Sequence, residues 1–222
     1  FSREDLDAFA SESAKRAQEA ISSGAFADEI VPVVVKGRKG DVTVDRDEEP
    51  GKIDLAKIAT LRAAFGKDGV LTAASSSKIS DGAAATVLMS ADEASNRGLK
   101  PIARIVAHAT HAQAPEWFTT APVTAIENVL KKAGWNVSDV DLFEINEAFA
   151  NVAMAPMKDL GIPHDKLNVN GGACALGHPI GASGARLVVT LLHALKARGG
   201  KRGVASLCIG GGEATAIAVE MA

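Results

Sequence analysis

The sequence predicts an α/β fold in which a mostly parallel, mixed sheet covered by helices forms the second half. From residue 101 onward, short apolar runs alternate with longer segments whose apolar residues recur at helical spacing. The resulting order, βαβαβαββ, is typical of parallel strands joined by crossover helices. Only the last two runs are joined by a turn as short as residues 210–212, so we expect only this pair to be antiparallel.

Turn and stop residues divide this half into its elements. The predicted strands are residues 102–107, 142–145, 167–169, 204–207 and 214–219. The predicted helices are residues 122–132, 148–160 and 183–197. Gly134 and Gly161 follow the first two helices, as glycine commonly does at helix C-termini. In the third helix Leu187, Leu191 and Leu195 recur every four residues, which predicts one buried face.

The first hundred residues begin with a well-marked helix. Ser2 and Asp5 have the spacing of a capping box, and Gly24 is a stop signal, so we expect a helix over residues 2–22. Residues 30–35 form an apolar run that a proline interrupts, which favours an edge strand.

Two further segments complete this part of the chain. Residues 36–52 are polar, charged and rich in turn residues, which predicts an excursion over the surface. Residues 83–89 are apolar and predict a strand, followed by a short helix over residues 90–98. No βα unit precedes this strand, so we expect the rest of its sheet to lie outside the chain.

The composition excludes several classes of protein. The chain has 222 residues, of which 47% are hydrophobic and 23% charged, with a formal net charge of -3. This mild acidity argues against a nucleic-acid partner, and no apolar run approaches the roughly 18 residues of a membrane span. Two cysteines, Cys174 and Cys208, cannot form a disulfide framework, which favours a reducing, cytoplasmic location. The chain starts at Phe1 rather than methionine, so organellar targeting stays open.

Three polar groups fall where strands run into loops, the usual ligand-binding edge of an α/β sheet. They are Asn146, Cys208 and His178, the last of which stands among five glycines in "GGACALGHPIGASG". Each also has a structural alternative: Asn146 could cap a helix, Cys208 could be a small buried hydrophobe, and His178 a structural hydrogen-bonding group.

The glycine-rich backbone around these groups favours chemistry. The helix that begins near Ser183 directs free N–H groups and its positive dipole end toward His178 and suits an oxyanion hole. The N–H of Gly210 could act in the same way beside Cys208, whose thiol could serve as an acid or base. The spacing of the glycines matches neither of the two common phosphate-binding loops. No second histidine, cysteine or carboxylate stands at the sequence spacing of a metal ligand from His178. We therefore expect no metal and no cofactor.

Three motifs, in this order and at this spacing, resemble the C-terminal signature of thiolases. They are "NEAFA" (146–150), "NVNGGACALGHPIGASGAR" (168–186) and "CIGGG" (208–212). The similarity continues through "EIVPVVVKGRKGDVTVDRDE" and "SDGAAATVLMS", so it covers nearly the whole chain. Thiolases make or break a carbon–carbon bond in 3-ketoacyl-CoA thioesters, and "HPIGASGAR" resembles the short-chain, acetoacetyl-CoA type.

The resemblance implies a role for each residue that matches the motifs. His178 would activate a nucleophilic thiol and help hold the thioester oxygen, and Asn146 would position a water in the same oxyanion hole. Cys208 would be the acid/base at the acetyl carbon, with the N–H of Gly210 in a second oxyanion hole. The predicted contacts to coenzyme A are Ser77, Ala73, Phe65, Ala148 and Phe149. The reaction implied is Claisen condensation of two acetyl-CoA and the reverse thiolysis, with coenzyme A thioesters as substrates.

The chain also departs from the family pattern. The acyl-accepting cysteine of thiolases lies in the N-terminal half of the family fold, and neither Cys174 nor Cys208 matches it. We therefore expect residues 1–79 to be part of the loop domain, 80–100 a terminal strand and helix of a missing N-terminal domain, and 101–222 the C-terminal domain. By itself the chain should be inactive. The usual Asn-x-Ser-Gly loop is replaced by a sequence that includes Lys78, for which we expect an exposed loop lysine rather than a contact to a coenzyme A phosphate.

The resemblance also implies partners, and it leaves two alternatives. The N-terminal part of the same enzyme would complete the site, and the family forms dimers or dimers of dimers, including homotetramers. One alternative is a ketoacyl synthase-like condensing enzyme, which shares the duplicated fold. The other is a non-catalytic CoA-binding or interaction fragment that lacks the acyl carrier.

Overall fold

The computed structural model describes residues 1–222. The α-helices are α1 (Arg3–Ser23), α2 (Glu49–Lys52), α3 (Ala91–Asn96), α4 (Ala121–Ala133), α5 (Ala150–Leu160), α6 (Ala173–Leu176) and α7 (Ile180–Arg198). The strands are β1 (Val33–Val35), β2 (Val42–Val44), β3 (Ala103–Ala112), β4 (Leu142–Ile145), β5 (Arg202–Ile209) and β6 (Glu213–Met221). Segments of 3₁₀ helix lie at Leu55–Thr60, Pro115–Thr120, Val137–Asp139 and His164–Lys166.

The main sheet has four strands in the order β3-β6-β5-β4. Strands β4 and β5 are parallel, whereas β5–β6 and β3–β6 are antiparallel. The sheet is therefore mixed, as expected, but the prediction that it is mostly parallel is wrong. The local apolar pattern located β3 and β6 correctly, but it contains no information about which distant strand each would pair with.

The strand predicted over residues 167–169 forms only one parallel bridge, between Phe143 and Leu167. Asn168 turns the chain there with a positive φ of 46°, in the left-handed region that asparagine tolerates. Its side chain then takes the place of backbone pairing beside β4. Asn168 Oδ1 accepts from the N–H of Ile145 at 2.8 Å, and Asn168 Nδ2 donates to the carbonyl of Ile145 at 2.9 Å.

Helices cover both faces of the sheet. One core cluster joins Ile126 and Val129 of α4 to Phe143 and Val204 on the strands. A second cluster packs α7 onto the opposite face, and the predicted stripe of Leu187, Leu191 and Leu195 is fully buried there. The prediction of helices over both sheet faces is confirmed.

Helix α1 begins and ends where its sequence signals predict. Ser2 Oγ accepts from the N–H of Asp5 at 3.1 Å, and the N–H of Ser2 donates to Asp5 Oδ2 at 2.9 Å, which completes the capping box. Gly24 ends the helix with a left-handed φ of 77°. Ala14 and Ala17 of α1 pack beside α6, because small side chains allow the close approach of the glycine-rich loop.

The remaining N-terminal segments lie at the surface. Strands β1 and β2 form an exposed antiparallel hairpin, with β1 at the end of the predicted edge strand. Residues 83–89 pair with no strand, and Val87 and Leu88 are exposed; α3 follows them. The three-part domain division stays a prediction. No helix is both long and apolar enough to cross a lipid bilayer.

Candidate active site

The parallel pair β4–β5 brings two of the predicted site residues to the same edge of the sheet. Asn146 follows β4 directly, and its N–H donates to the carbonyl of Ser206 on β5 at 2.9 Å. Cys208 lies two residues beyond Ser206, near the end of the same strand. The carboxyl ends of these adjacent parallel strands therefore place Asn146 and Cys208 at the same edge of the sheet.

His178 reaches this edge from the loop before α7. Asn146 Nδ2 lies 3.3 Å from His178 Nε2, and His178 Nδ1 lies 2.5 Å from Ser183 Oγ. The hydroxyl of Ser183 donates to the carbonyl of Pro179 at 3.0 Å, so its oxygen accepts from Nδ1–H of the histidine. This network assigns the proton to Nδ1 and leaves the Nε2 lone pair facing the Asn146 amide.

The surroundings keep His178 neutral near pH 7. Partial burial lowers the pKa of His178, and the positive charge of Arg186 lowers it further. Asn146 is completely buried, and its Oδ1 makes no hydrogen bond within the protein. The pair therefore combines a neutral imidazole with a fixed amide whose oxygen is free for a further polar partner.

Cys208 is 8% exposed, and burial raises the pKa of its thiol to about 11. The thiol is therefore protonated at neutral pH and suited to donate a proton. No hydrogen bond joins it to Asn146 or His178. The structure thus brings Asn146 and His178 into contact and places Cys208 at the same sheet edge without contact, and the role of each residue stays a prediction.

Gly210 lies in the turn between β5 and β6. A Cβ at Gly210 would meet nothing within 4 Å, so its backbone is open to an approaching group. Gly212 holds the turn with a φ of 103°, and a Cβ there would collide with the carbonyl of Gln113. The left-handed conformation of Gly212 fixes the turn. The oxyanion role of the Gly210 N–H stays a prediction.

The predicted coenzyme A contacts lie together, with one exception. The N–H of Ser77 donates to the carbonyl of Ala148 at 3.0 Å, so residues 75–77 run alongside 148–150. The rings of Phe65 and Phe149 meet edge to face with centroids 5.8 Å apart. Ala73 is exposed in the turn just before this segment and touches none of the other predicted contacts through a hydrogen bond.

The sequence interpretation missed a buried carboxylate beside Asn146. Glu147 is completely buried, and it accepts from Ser13 Oγ at 2.7 Å, Asn168 Nδ2 at 2.8 Å and the N–H of Cys174 at 3.1 Å. Burial raises the pKa of Glu147, and these three donors oppose that shift. No local signal identifies this residue, because its partners come from α1 and from the segment 168–174, both distant in the sequence.

The expectation for Lys78 is wrong. Lys78 is not an exposed loop lysine but is partly buried, and its Nζ donates to the carbonyl of Cys174 at 2.8 Å. The physical reason is tertiary: the loop that carries Lys78 runs directly beside the glycine-rich loop, as the parallel bridge between Ile79 and His178 shows.

A second buried carboxyl group lies beside Arg186, the residue whose charge also acts on His178. Arg186 of α7 approaches Glu144 of β4 at 3.6 Å, and Glu144 is 1% exposed. Burial raises the pKa of Glu144 to about 8, against the opposing positive charge of Arg186. Glu29 lies in the same region, where burial raises its pKa to about 7.

The family of the chain follows from comparison with known proteins. Residues 99–221 match the model of the thiolase C-terminal domain, and residues 1–92 match that of the thiolase N-terminal domain. The chain belongs to the thiolase family.

Within this family the similar proteins are acetyl-CoA acetyltransferases and a related thiolase. A probable acetyl-CoA acetyltransferase of Dictyostelium discoideum is 55% identical over 219 residues, which are 98% of this chain and 53% of that protein. The acetyl-CoA acetyltransferase of Shinella zoogloeoides is 52% identical over 220 residues, 99% of this chain and 56% of that protein. The chain spans about half the length of these curated relatives.

Solved structures show the same similarity in three dimensions. The crystal structure of the Bacillus anthracis acetyl-CoA acetyltransferase matches with a TM-score of 0.97 and 44% identity, over 100% of this chain and 57% of that one. Human mitochondrial 3-ketoacyl-CoA thiolase matches with a TM-score of 0.92 and 39% identity, over 100% of this chain and 56% of that one. The prediction of a thiolase-like fold is confirmed.

Proposed function

We propose that the chain provides the acid/base half of an acetyl-CoA acetyltransferase site, which cleaves acetoacetyl-CoA with CoA and runs the reverse Claisen condensation. The observation that carries the proposal is the chain of hydrogen bonds from Asn146 through His178 to Ser183. These hydrogen bonds lie at the edge of the sheet where β5 ends with Cys208. The names of the relatives supply the substrate class, acetyl-CoA and CoA.

The tautomer of His178 suits a base that becomes an oxyanion donor. With Nδ1–H held by Ser183, Nε2 is the unprotonated nitrogen, and its lone pair, which faces the Asn146 amide, would accept the proton of an acyl-accepting thiol. Once protonated, Nε2–H becomes a donor for the thioester oxygen, next to the Nδ2 amide of Asn146. One imidazole thus activates the nucleophile and then stabilises the negative charge that its attack produces.

The protonation state of Cys208 suits the cleavage direction. In thiolysis the activated thiolate attacks the 3-keto carbon, the bond between C2 and C3 breaks, and the enolate of acetyl-CoA takes a proton from Cys208. A thiol with a pKa of about 11 is fully protonated before this step. The CoA thiol then gives its proton to the Cys208 thiolate and attacks the acyl group, and the acyl-accepting thiolate that leaves takes its proton back from His178. In condensation the same steps run in reverse, so Cys208 first gives its proton to the departing CoA and its thiolate then removes the proton from the acetyl carbon.

The acyl-accepting thiol must come from outside this chain. Cys174 is 2% exposed, and burial raises the pKa of its thiol well above the ordinary value. A buried, protonated thiol is a poor nucleophile, so Cys174 is unsuited to carry an acyl group. We propose that the N-terminal part of the enzyme supplies this cysteine.

The slender arm of coenzyme A would lie along the segments that carry Ser77 and Phe149. The two segments are hydrogen-bonded to each other, and Phe65 and Phe118 flank Phe149 with ring centroids at 5.8 and 6.3 Å. This arrangement offers an apolar wall beside half-buried backbone, which suits an arm of alternating methylene and amide groups.

The test is cleavage of acetoacetyl-CoA on material whose polypeptides are defined by denaturing gel and intact mass. We expect no turnover from this chain by itself. We expect turnover when a polypeptide with the acyl-accepting cysteine is present, and loss of it in His178→Ala. CoA binding measured by calorimetry, with no turnover even in the completed preparation, would instead support a CoA-binding fragment and overturn the proposal.

A further inference from the structure

The single helical turn before His178 ends in an unusual way. In a longer helix the N–H of His178 would donate to the carbonyl of Cys174, four residues earlier. Gly177 interrupts α6 with a φ of 97°, and this hydrogen bond is not made. A peptide carbonyl and a peptide N–H in the glycine-rich loop therefore both need other partners.

Lys78 supplies both missing partners. Its Nζ donates to the carbonyl of Cys174 at 2.8 Å, and its own carbonyl accepts from the N–H of His178 at 2.9 Å. The same carbonyl also accepts from Ser80 Oγ at 3.1 Å. One residue thus replaces the helical hydrogen bond between positions 174 and 178 with two bonds to itself.

We propose that Lys78 is a positioning residue for His178, which ends α6 and directs the imidazole toward Asn146. This inference rests on the proposed function, since it concerns the same site. Lys78 acts through the backbone of the loop and not through the reacting groups.

The other end of the turn is also held by a charged side chain. Glu147 accepts from the N–H of Cys174 at 3.1 Å, and a Cβ at Gly172 would collide with its carboxylate. A carboxylate at the amino end of α6 and an ammonium on its carbonyl side both match the direction of the peptide dipoles. Glu147 directly follows Asn146 in the sequence. Asn146 and His178, which meet at Nε2, are therefore both anchored to the turn of α6.

The charges around Lys78 are consistent with this role. The groups that face it are the carboxylate of Glu49 on α2 and the buried thiol of Cys174 on α6. His178 itself faces the positive charge of Arg186 on α7. Removal of the Lys78 charge therefore leaves in place the cation that lowers the pKa of His178, so the effect of position can be measured apart from that of charge.

The experiment compares Lys78→Met, Lys78→Gln and Lys78→Arg with the matched control Lys57→Met. Lys57 is an exposed lysine whose only ion pair is with Asp54 on its own surface turn. The first measurement is the ¹H–¹⁵N long-range spectrum of the imidazoles, with the His178 signal assigned from His178→Asn. We expect the Nδ1–H tautomer in the unaltered chain, in Lys78→Arg and in Lys57→Met, and a mixture of tautomers in Lys78→Met.

The second measurement is thiolysis in the preparation completed with the acyl-accepting polypeptide. Because small displacements of catalytic groups lower rates steeply, we expect kcat of Lys78→Met to fall about tenfold with little change in KM. Lys78→Gln keeps a neutral donor and should lie between Lys78→Met and Lys78→Arg. A uniform tautomer together with unchanged kcat in Lys78→Met would overturn the inference. Absence of turnover in the unaltered protein would overturn the proposed function alone, because the spectrum tests Lys78 without any reaction.

Discussion

Asn146 and His178 are 32 residues apart in the sequence, yet Nδ2 of the amide lies 3.3 Å from Nε2 of the imidazole. The contact depends on two separate folding events. The β4–β5 ladder extends by one residue to fix Asn146, and Ser183 at the start of α7 fixes the other side of the ring. Hydrogen bonds therefore hold both side chains in place in the chain itself, and electrostatic stabilisation of an oxyanion requires such preorganised groups.

Replacement of Asn146 tests the value of this contact. We expect Asn146→Ala to lower kcat for thiolysis by about 10²–10³, because one preorganised donor to the oxyanion region is lost. KM should change little, since the amide acts on developing charge. The measurement is steady-state thiolysis in the completed preparation, with the exposed Asn96→Ala as control. A higher KM with unchanged kcat would show that Asn146 binds substrate and does not stabilise the oxyanion.

Replacement of Phe149 tests the apolar contact proposed for the arm of coenzyme A. Phe149 stacks edge to face with Phe65 and Phe118. We expect Phe149→Ala to raise KM for CoA about tenfold with kcat nearly unchanged, because an apolar contact is lost without effect on the proton donors. A fall in kcat at constant KM would place Phe149 at the reacting centre and contradict the assignment.

The buried Glu144 makes stability depend on pH. Burial raises the pKa of Glu144 from 4.5 to about 8, so the folded chain holds a proton that the unfolded chain releases. The contribution of this group to stability is therefore full below pH 4.5 and is lost as pH rises toward 8, a change on the order of a few kcal/mol. Glu144→Gln should flatten this dependence, measured as the free energy of unfolding in urea at several pH values between 5 and 9. The pKa of Glu29 is also raised by burial, to about 7. An equally steep pH dependence in Glu144→Gln would therefore assign the pH dependence of stability to Glu29 and not to Glu144.

The packing of α7 on the sheet requires a glycine on β5. A Cβ at Gly203 would lie 2.9 Å from side-chain carbons of Leu191 and Leu195. Gly203→Ala should therefore lower the free energy of unfolding by about 1–3 kcal/mol through overpacking. Leu191→Ala should lower it by about 2–5 kcal/mol through a cavity, and the double variant by less than the sum. Strict additivity in urea unfolding would contradict the close contact.

Local signals in the sequence were sufficient for the longer helices, although α7 begins at Ile180 rather than near Ser183, and the short α2 and α6 were not predicted. Ser2, Gly24, Gly134 and Gly161 stand where helices begin or end, and each acts through backbone groups within a few residues of itself. The polar groups at strand ends could be predicted for the same reason, since the end of an apolar run is visible in one dimension.

Partners that are distant in the sequence could not be predicted in the same way. β3 lies beside β6 rather than next to the parallel pair, and the Asn168 side chain replaces the expected strand at 167–169. Glu147 is held by Ser13, 134 residues earlier, and Lys78 by a carbonyl 96 residues later. Glu147 and Lys78 become buried only when segments that are distant in the sequence pack together. A single charged residue in the sequence therefore does not reveal that it will be buried.

The central claim, that Cys208 is the acid/base of a thiolase reaction, is tested most directly by a matched pair of thiol replacements. Thiolysis of acetoacetyl-CoA is measured in the completed preparation for Cys208→Ser and for Cys174→Ser, which alters the other buried thiol of the chain. We predict that Cys208→Ser loses about 10²–10⁴ of kcat, the usual contribution of a general acid or base, and that Cys174→Ser stays close to the unaltered enzyme. Retained turnover in Cys208→Ser, or equal losses in both variants, would contradict the account.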